Sequence, residues 1–144
     1  MSQNSVVNPY LDFDGRCDEA LDFYSKSIGA EVLMLMRFKD APPSAQSEMC
    51  SDVSKEKVMH ARLRVGDSFI MASDGHSKGK PDFQGISLSL TVPDAAAAER
   101  AFKALSVGGN VVMPLTKTFF SPAFGMVADK FGVKWMVYVE GQQG

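Results

Sequence analysis

At 144 residues, with 45% hydrophobic and 22% charged residues and a net charge of −2, the chain has the make-up of one soluble globular unit or of two small halves sharing a core. The balance of charge offers no basic surface for nucleic acid or for anionic lipid, and no apolar run approaches the roughly 20 residues of a membrane helix. Met1 to Ser5 lacks the charged and apolar regions of a secretory leader. Cys17 and Cys50 stand far apart without metal-like spacing, so both read as free thiols in a reducing cytoplasm.

In chain order, Val6 to Phe13 reads as a strand, with Pro9 tolerated only near its start or on an edge. Asp14-Gly15 turns the chain into a helix from Cys17 to Ile28. Its apolar positions Cys17, Ala20, Leu21, Tyr24 and Ile28 recur at helical spacing. Gly29 closes that helix, since glycine enters the left-handed conformation without steric cost. Ala30 to Phe38 is the second strand. Asp40 to Lys57, with Pro42-Pro43 and no sustained period, reads as a long loop of the kind that serves as a lid or binding loop. Val58 to Ser73 is a hairpin around Gly66-Asp67, and the polar stretch Asp74 to Gly85, which includes His76, reads as a linker with its centre at 75–84. The pattern then restarts. Ile86 to Val92 is a strand, Asp94 caps a helix with Ala98, Ala101, Phe102 and Leu105 on one face, and that helix ends at Gly108-Gly109. Asn110 to Met113 is a strand, Pro114 to Pro122 a connection, and Phe124 to Val139 a closing hairpin that turns at Asp129 to Gly132.

The restart is a repeat. At an offset of 79, Leu11 falls on Leu90, Phe23 on Phe102, Gly29 on Gly108 and Val32 on Val111, without a gap. Two copies of a strand–helix–strand–strand–strand module follow, at about 5–74 and 85–140. Each copy, about 65 residues, is too small to be very stable alone. The predicted fold class is α+β: two βαβββ modules forming a cupped, partly closed mixed sheet with helices outside, in one domain.

That order, together with Pro9 to Gly15, Glu19-Ala20, Phe23-Tyr24, Gly29 to Glu31, His60-Ala61, Gly66 to Ser68, Met113 to Leu115 and Phe124 through Met136, resembles the vicinal oxygen chelate superfamily. This superfamily includes glyoxalase I, extradiol dioxygenases and the bleomycin- and fosfomycin-resistance proteins. Within it the chain is similar to the PhnB-like group, described as 3-demethylubiquinone-9 3-methyltransferase-like. No glycine-rich loop resembles the one that holds S-adenosylmethionine in ordinary methyltransferases.

The resemblance implies where a metal would sit. Metal-dependent members take ligands from the first and last strands of each module, with His or Gln at the first positions and Glu at the last, so that two substrate oxygens can chelate the ion. The matching positions here are Asn8 and Ser87, then Ile70 or Met71, then Met136. None is a usual ligand for zinc, nickel, iron or manganese. The expectation is that the metal site is absent and that no cofactor is held; His60, Asp12 and Asp74 are the residues for a relocated site.

The candidates for ligand binding are therefore of another kind. Alternation sets Asn8, Tyr10 and Asp12 on the concave face, and Arg37, His60 and Arg62 add polar and positive groups near it, with His60 a candidate general base. Phe119 and Phe120, in a short connection, either cap a pocket or plug one end of the sheet. Trp135 and Tyr138 lie on opposite faces of one strand, so at most one faces the cup. Met71, Met113, Met126 and Met136 supply an adaptable apolar lining. Ser87 completes the set. The reading is a metal-independent protein that binds a small, partly apolar molecule in the cup between the modules, as the resemblance to the bleomycin-resistance proteins implies. A metal-dependent lyase, isomerase, dioxygenase or transferase is the alternative, and a dimerisation or partner-binding module without catalysis is the third. Analogy with the superfamily implies a homodimer.

Overall fold

The computed structural model describes residues 5–42, 55–75 and 81–141. Most of the expected loop at 40–57, with Cys50, lies outside the described residues, and so does His76. The elements are β1 (Tyr10–Asp12), α1 (Cys17–Ile28), β2 (Glu31–Arg37), β3 (Val58–Val65), β4 (Ser68–Ser73), β5 (Ser87–Val92), α2 (Ala95–Ser106), β6 (Asn110–Thr116), β7 (Phe124–Ala128) and β8 (Lys134–Val139). They form two compact units, residues 1–25 with 29–81, and residues 26–28 with 82–144. Each unit holds one mixed four-stranded sheet, ordered β1-β4-β3-β2 in the first and β5-β8-β7-β6 in the second. The first and last strands of each module pair in parallel, and the other neighbours are antiparallel. This is the α+β architecture of two βαβββ modules.

In the first unit the alternation of the strands sorts the core. Leu11, Ala61, Leu63, Ile70 and Ala72 are all buried, and the register sets Leu11 opposite Ala72, Ala72 opposite Ala61, and Leu63 opposite Ile70. The apolar stripe of α1, Cys17, Ala20, Leu21 and Tyr24, is buried as well. The Tyr24 ring lies 6.1 Å from that of Phe13, which is also buried. Each large side chain so covered stabilises the fold by about 1.5–3 kcal/mol. Gly29 ends α1 at φ 70°, a left-handed conformation that a residue with a Cβ adopts only with strain.

α1 has no cap of its own, because Arg16 at the N-cap makes no side-chain cap bond. Asp74 supplies it from a distance of 57 residues along the chain. Its Oδ1 accepts from the N–H groups of Gly15 and Cys17, both at 2.8 Å, and its Oδ2 accepts from the Val58 N–H at 2.8 Å. The Asp74 N–H donates to the Val58 carbonyl at 2.8 Å. The residue read from sequence as the start of a linker is thus only 3% exposed and ties α1, β3 and the end of β4 together.

The second unit reaches the same architecture with local means. Asp94 caps α2, accepting from the Ala97 N–H at 2.8 Å. Ala98 and Ala101 are buried, and their small side chains let α2 approach all four strands of its sheet. On β7, Gly125 leaves room for the Phe102 ring and the Leu115 backbone, into which a Cβ would run. The β7–β8 turn is organised by Asp129. Its Oδ1 accepts from the N–H groups of Phe131 and Val133, and its Oδ2 accepts the Trp135 indole N–H at 2.9 Å.

Two strand boundaries differ from the sequence reading. β1 is only Tyr10–Asp12, because Pro9 has no N–H to donate; its carbonyl still accepts from the Met71 N–H, and Val6 and Val7 lie exposed before it. β6 continues past Met113 to Thr116 and includes Pro114. It is the edge strand, where a residue without an N–H costs no ladder bond, and the ladder is irregular between Met113 and Thr116.

Replacing Asp74 with Ala leaves three N–H groups, two of them buried, without their acceptor, so urea denaturation should show a loss of about 3–5 kcal/mol. A second expectation concerns Asp18, which Arg37 grips at 2.8 and 2.9 Å. The Arg37 hydrogen bond and charge hold this carboxyl below its ordinary range. A lowered folded-state value means that the pair's contribution is complete above the unfolded value of about 4 and is lost as pH falls through the lower folded value. Because Asp18 is half exposed, Asp18→Asn should cost no more than about 1 kcal/mol near neutral pH. Its urea midpoint should converge on that of the unsubstituted chain as pH falls below about 4 and through the lower folded value.

Candidate functional site

One face of each sheet is left over by the core. In the first unit it carries Tyr10 from β1, Met71 and Phe69 from β4, His60, Arg62 and Arg64 from β3, and Met34 and Met36 from β2. The register places Tyr10 opposite Met71, Met71 opposite Arg62, and Arg62 opposite Met34, a single row across the four strands. The Tyr10 hydroxyl lies 3.1 Å from His60 Nδ1, with the two rings 5.5 Å apart. The Arg62 guanidinium rests 4.3 Å above the Phe69 ring centre. At one end of the face Arg64 is paired with Glu31 at 2.6 Å.

The second unit repeats the row. Ser89 is opposite Met136, Met136 opposite Met126, and Met126 opposite Met113. The 79-residue offset carries Tyr10 onto Ser89 and Met34 onto Met113, so the two rows are counterparts. This settles the register that the sequence left open between Ile70 and Met71. Met71 is the counterpart of Met136, whereas Ile70 is 6% exposed on the covered face. Ser87 is opposite Lys134, and Tyr138 is opposite Thr91 and Phe124.

Several expected site residues come together and others do not. Tyr10, His60 and Met71 share the open face of the first sheet, and Asn8 sits half-buried just before β1. Asp12 accepts from the Asp14 N–H at 3.0 Å, so it shapes the turn into α1. Arg37 is turned away from the face. The ladder shifts register between Met36 and Arg37, and the Arg37 guanidinium goes to Asp18 on α1 and to the Glu56 carbonyl. Trp135 is 2% exposed in the core, held there by Asp129, and Tyr138 is the aromatic of β8 on the open face. The sequence reading left out Met34, Met36 and Phe69. The offset that pairs Met34 with Met113 carried the signal for the first of these.

Phe119 and Phe120 lie outside the second unit's row, at one end of that unit. Phe119 is fully exposed, and its ring meets Phe120 edge-on at 5.1 Å, as Phe120 meets Phe124. The turn is held by Thr118, whose Oγ1 accepts from the N–H groups of Phe120 and Ser121. Beside it an open groove of about 1160 Å³ runs between Pro93, Lys117, Phe119, Tyr138 and Glu140.

The donor set can be compared with what a divalent metal requires. At the positions where metal-dependent members of the superfamily carry ligands, the first unit has Asn8 and Met71 and the second has Ser87 and Met136. An amide, a hydroxyl and two thioethers do not fit zinc, nickel, iron or manganese, which take imidazole and carboxylate. Asp74 is occupied by its N–H donors, and among the described residues no group of three or more His, Cys, Asp or Glu converges. The Cys17 thiol is no substitute, because burial, then the Asp74 charge, pushes its pKa far up and keeps it protonated. Nor does the start of α1 suit an anionic cofactor group. The N–H groups of Gly15 and Cys17 already serve Asp74, and Asp18 and Glu19 fill the first turn.

With this geometry in place, relatives are informative. Protein YjdN of Escherichia coli is 37% identical over 95% of this chain and 97% of its own length. The crystal structure of PA1353 from Pseudomonas aeruginosa superposes with a TM-score of 0.81 at 42% identity, covering 96% of this chain and all of that one. A PhnB protein of Bacillus cereus superposes with a TM-score of 0.76 at 25% identity over 94% of this chain and 99% of its own. A glyoxylase/bleomycin resistance protein/dioxygenase domain, at 15% identity, shares the fold alone. The family model described as 3-demethylubiquinone-9 3-methyltransferase matches residues 5–138. The chain therefore belongs to that PhnB-like family, built on the glyoxalase fold.

Proposed function

We propose that this protein binds a small, partly apolar molecule on the open face of its first sheet and does so without a resident divalent metal. The observation that carries the reading is the row Tyr10–Met71–Arg62–Met34, with His60 bonded to Tyr10. Thioethers and a phenol make an adaptable apolar wall, and a few polar groups orient what lies against it. The ligand positions of the metal-dependent relatives support the same reading, because Asn8, Met71, Ser87 and Met136 offer no carboxylate and no imidazole. Elemental analysis of protein purified without chelator should find no stoichiometric zinc, nickel, iron or manganese. A stoichiometric ion bound through protein side chains would sink the proposal.

We also propose that two copies associate. β2 and β6 are the outer strands of their sheets, and Val32 to Met36 and Val111 to Met113 all remain exposed there. A long, apolar, unpaired edge is a template for another chain unless it is covered. Sedimentation at tens of micromolar should give a dimer of the 15.6 kDa chain. Replacing Leu33 and Leu35 together with Lys should shift it toward monomer.

A further inference from the structure

The arginines of the first sheet are not treated alike. Of the three on β2 and β3, Arg37 is paired with Asp18 and Arg64 with Glu31. Arg62, between them in space, has no carboxylate partner among the described residues. It stands mid-row with Met71 and Met34 as its cross-strand neighbours and with its guanidinium 4.3 Å above the Phe69 ring. The guanidinium N–H donors meet no acceptor among the described residues, and together they form a fork that matches an oxyanion in two parallel hydrogen bonds. The stacked position also restrains the side chain, so less freedom is lost when an anion arrives. Tyr10 and His60, already bonded to each other, lie on the same face.

Resting on the reading that this face is the ligand site, we propose that its ligand is an amphiphilic organic anion. Its oxyanion pairs with the in-plane donors of Arg62, and its apolar body lies along Met34, Met71 and Tyr10. The charge is complementary and the flanking surface is apolar, so a molecule with only one of the two properties forgoes half of the site.

The test uses two probes with one apolar body, 1-naphthoate and 1-naphthalenemethanol, titrated into the whole isotope-labelled chain and followed by amide and methionine methyl shifts. The expected result is that naphthoate binds at least tenfold more tightly, with shifts at Met34, His60 and Met71. Arg62→Met should remove that preference while leaving the affinity for the alcohol within about twofold. Arg62→Lys should keep part of it. An unchanged thermal midpoint in both variants shows that folding is not the cause. Equal binding of the two probes at this face overturns the anion and leaves the face as a ligand site. Shifts confined to the groove beside Phe119, or none with either probe, overturn both readings.

Discussion

Each module pairs a four-stranded sheet with one helix, and one helix can cover only one face. The rest of the structure follows from that inequality. On the covered side the strands present small or branched apolar residues, Ala61, Leu63, Ile70 and Ala72 in the first unit, and Trp135, Val137 and Val139 in the second, all buried. On the other side the same strands present Tyr, His, Arg, Ser and Met. The alternation of a strand makes this separation automatic, since every second residue belongs to the other face. A protein that built its second layer from a helix on both sides would have no such face to offer.

The helices can hold their places only if their ends are anchored, and the two copies solve this differently. α2 begins with Asp94, three residues before the N–H it caps. α1 begins with Arg16, which cannot cap, and the anchor comes instead from Asp74 beyond the end of β4. The buried carboxylate is tolerated because its oxygens accept from three N–H groups, which replace the water it gave up. Asp129 stabilises the second unit in the same manner, with one oxygen on turn N–H groups and the other on the Trp135 indole. Both acids therefore serve the fold, each joining backbone N–H groups to a neighbouring element.

The open faces also differ where their counterparts differ. Met34 and Met113 match, as do Met71 and Met136, but Arg62 stands where the second unit has Met126, and Tyr10 where it has Ser89. The same scaffold occurs twice, and the row of the first copy alone has a polar, cationic centre. The flanking methionines remain apolar in both, so the first face combines a fixed charge with a compliant wall.

The chain order of elements, the repeat at offset 79 and the faces of both helices were legible in the sequence, because periodicity and capping act over a few residues. The left-handed glycine at Gly29 and the cap at Asp94 were legible for the same reason, whereas the choice between Ile70 and Met71 on the open face needed the strand pairing. The larger departures join segments far apart in the chain. Arg37 left the candidate site because a ladder irregularity turned it toward Asp18, while Trp135 falls on the buried side of β8 by the alternation that puts Tyr138 on the open one. Asp74 looked like linker, since nothing in its neighbourhood of the chain shows that Gly15 and Cys17 lie beside it. Local sequence determined which residues point to the same side of a strand. Only the tertiary structure decided which buried polar groups meet, because that depends on segments dozens of residues apart reaching the same place.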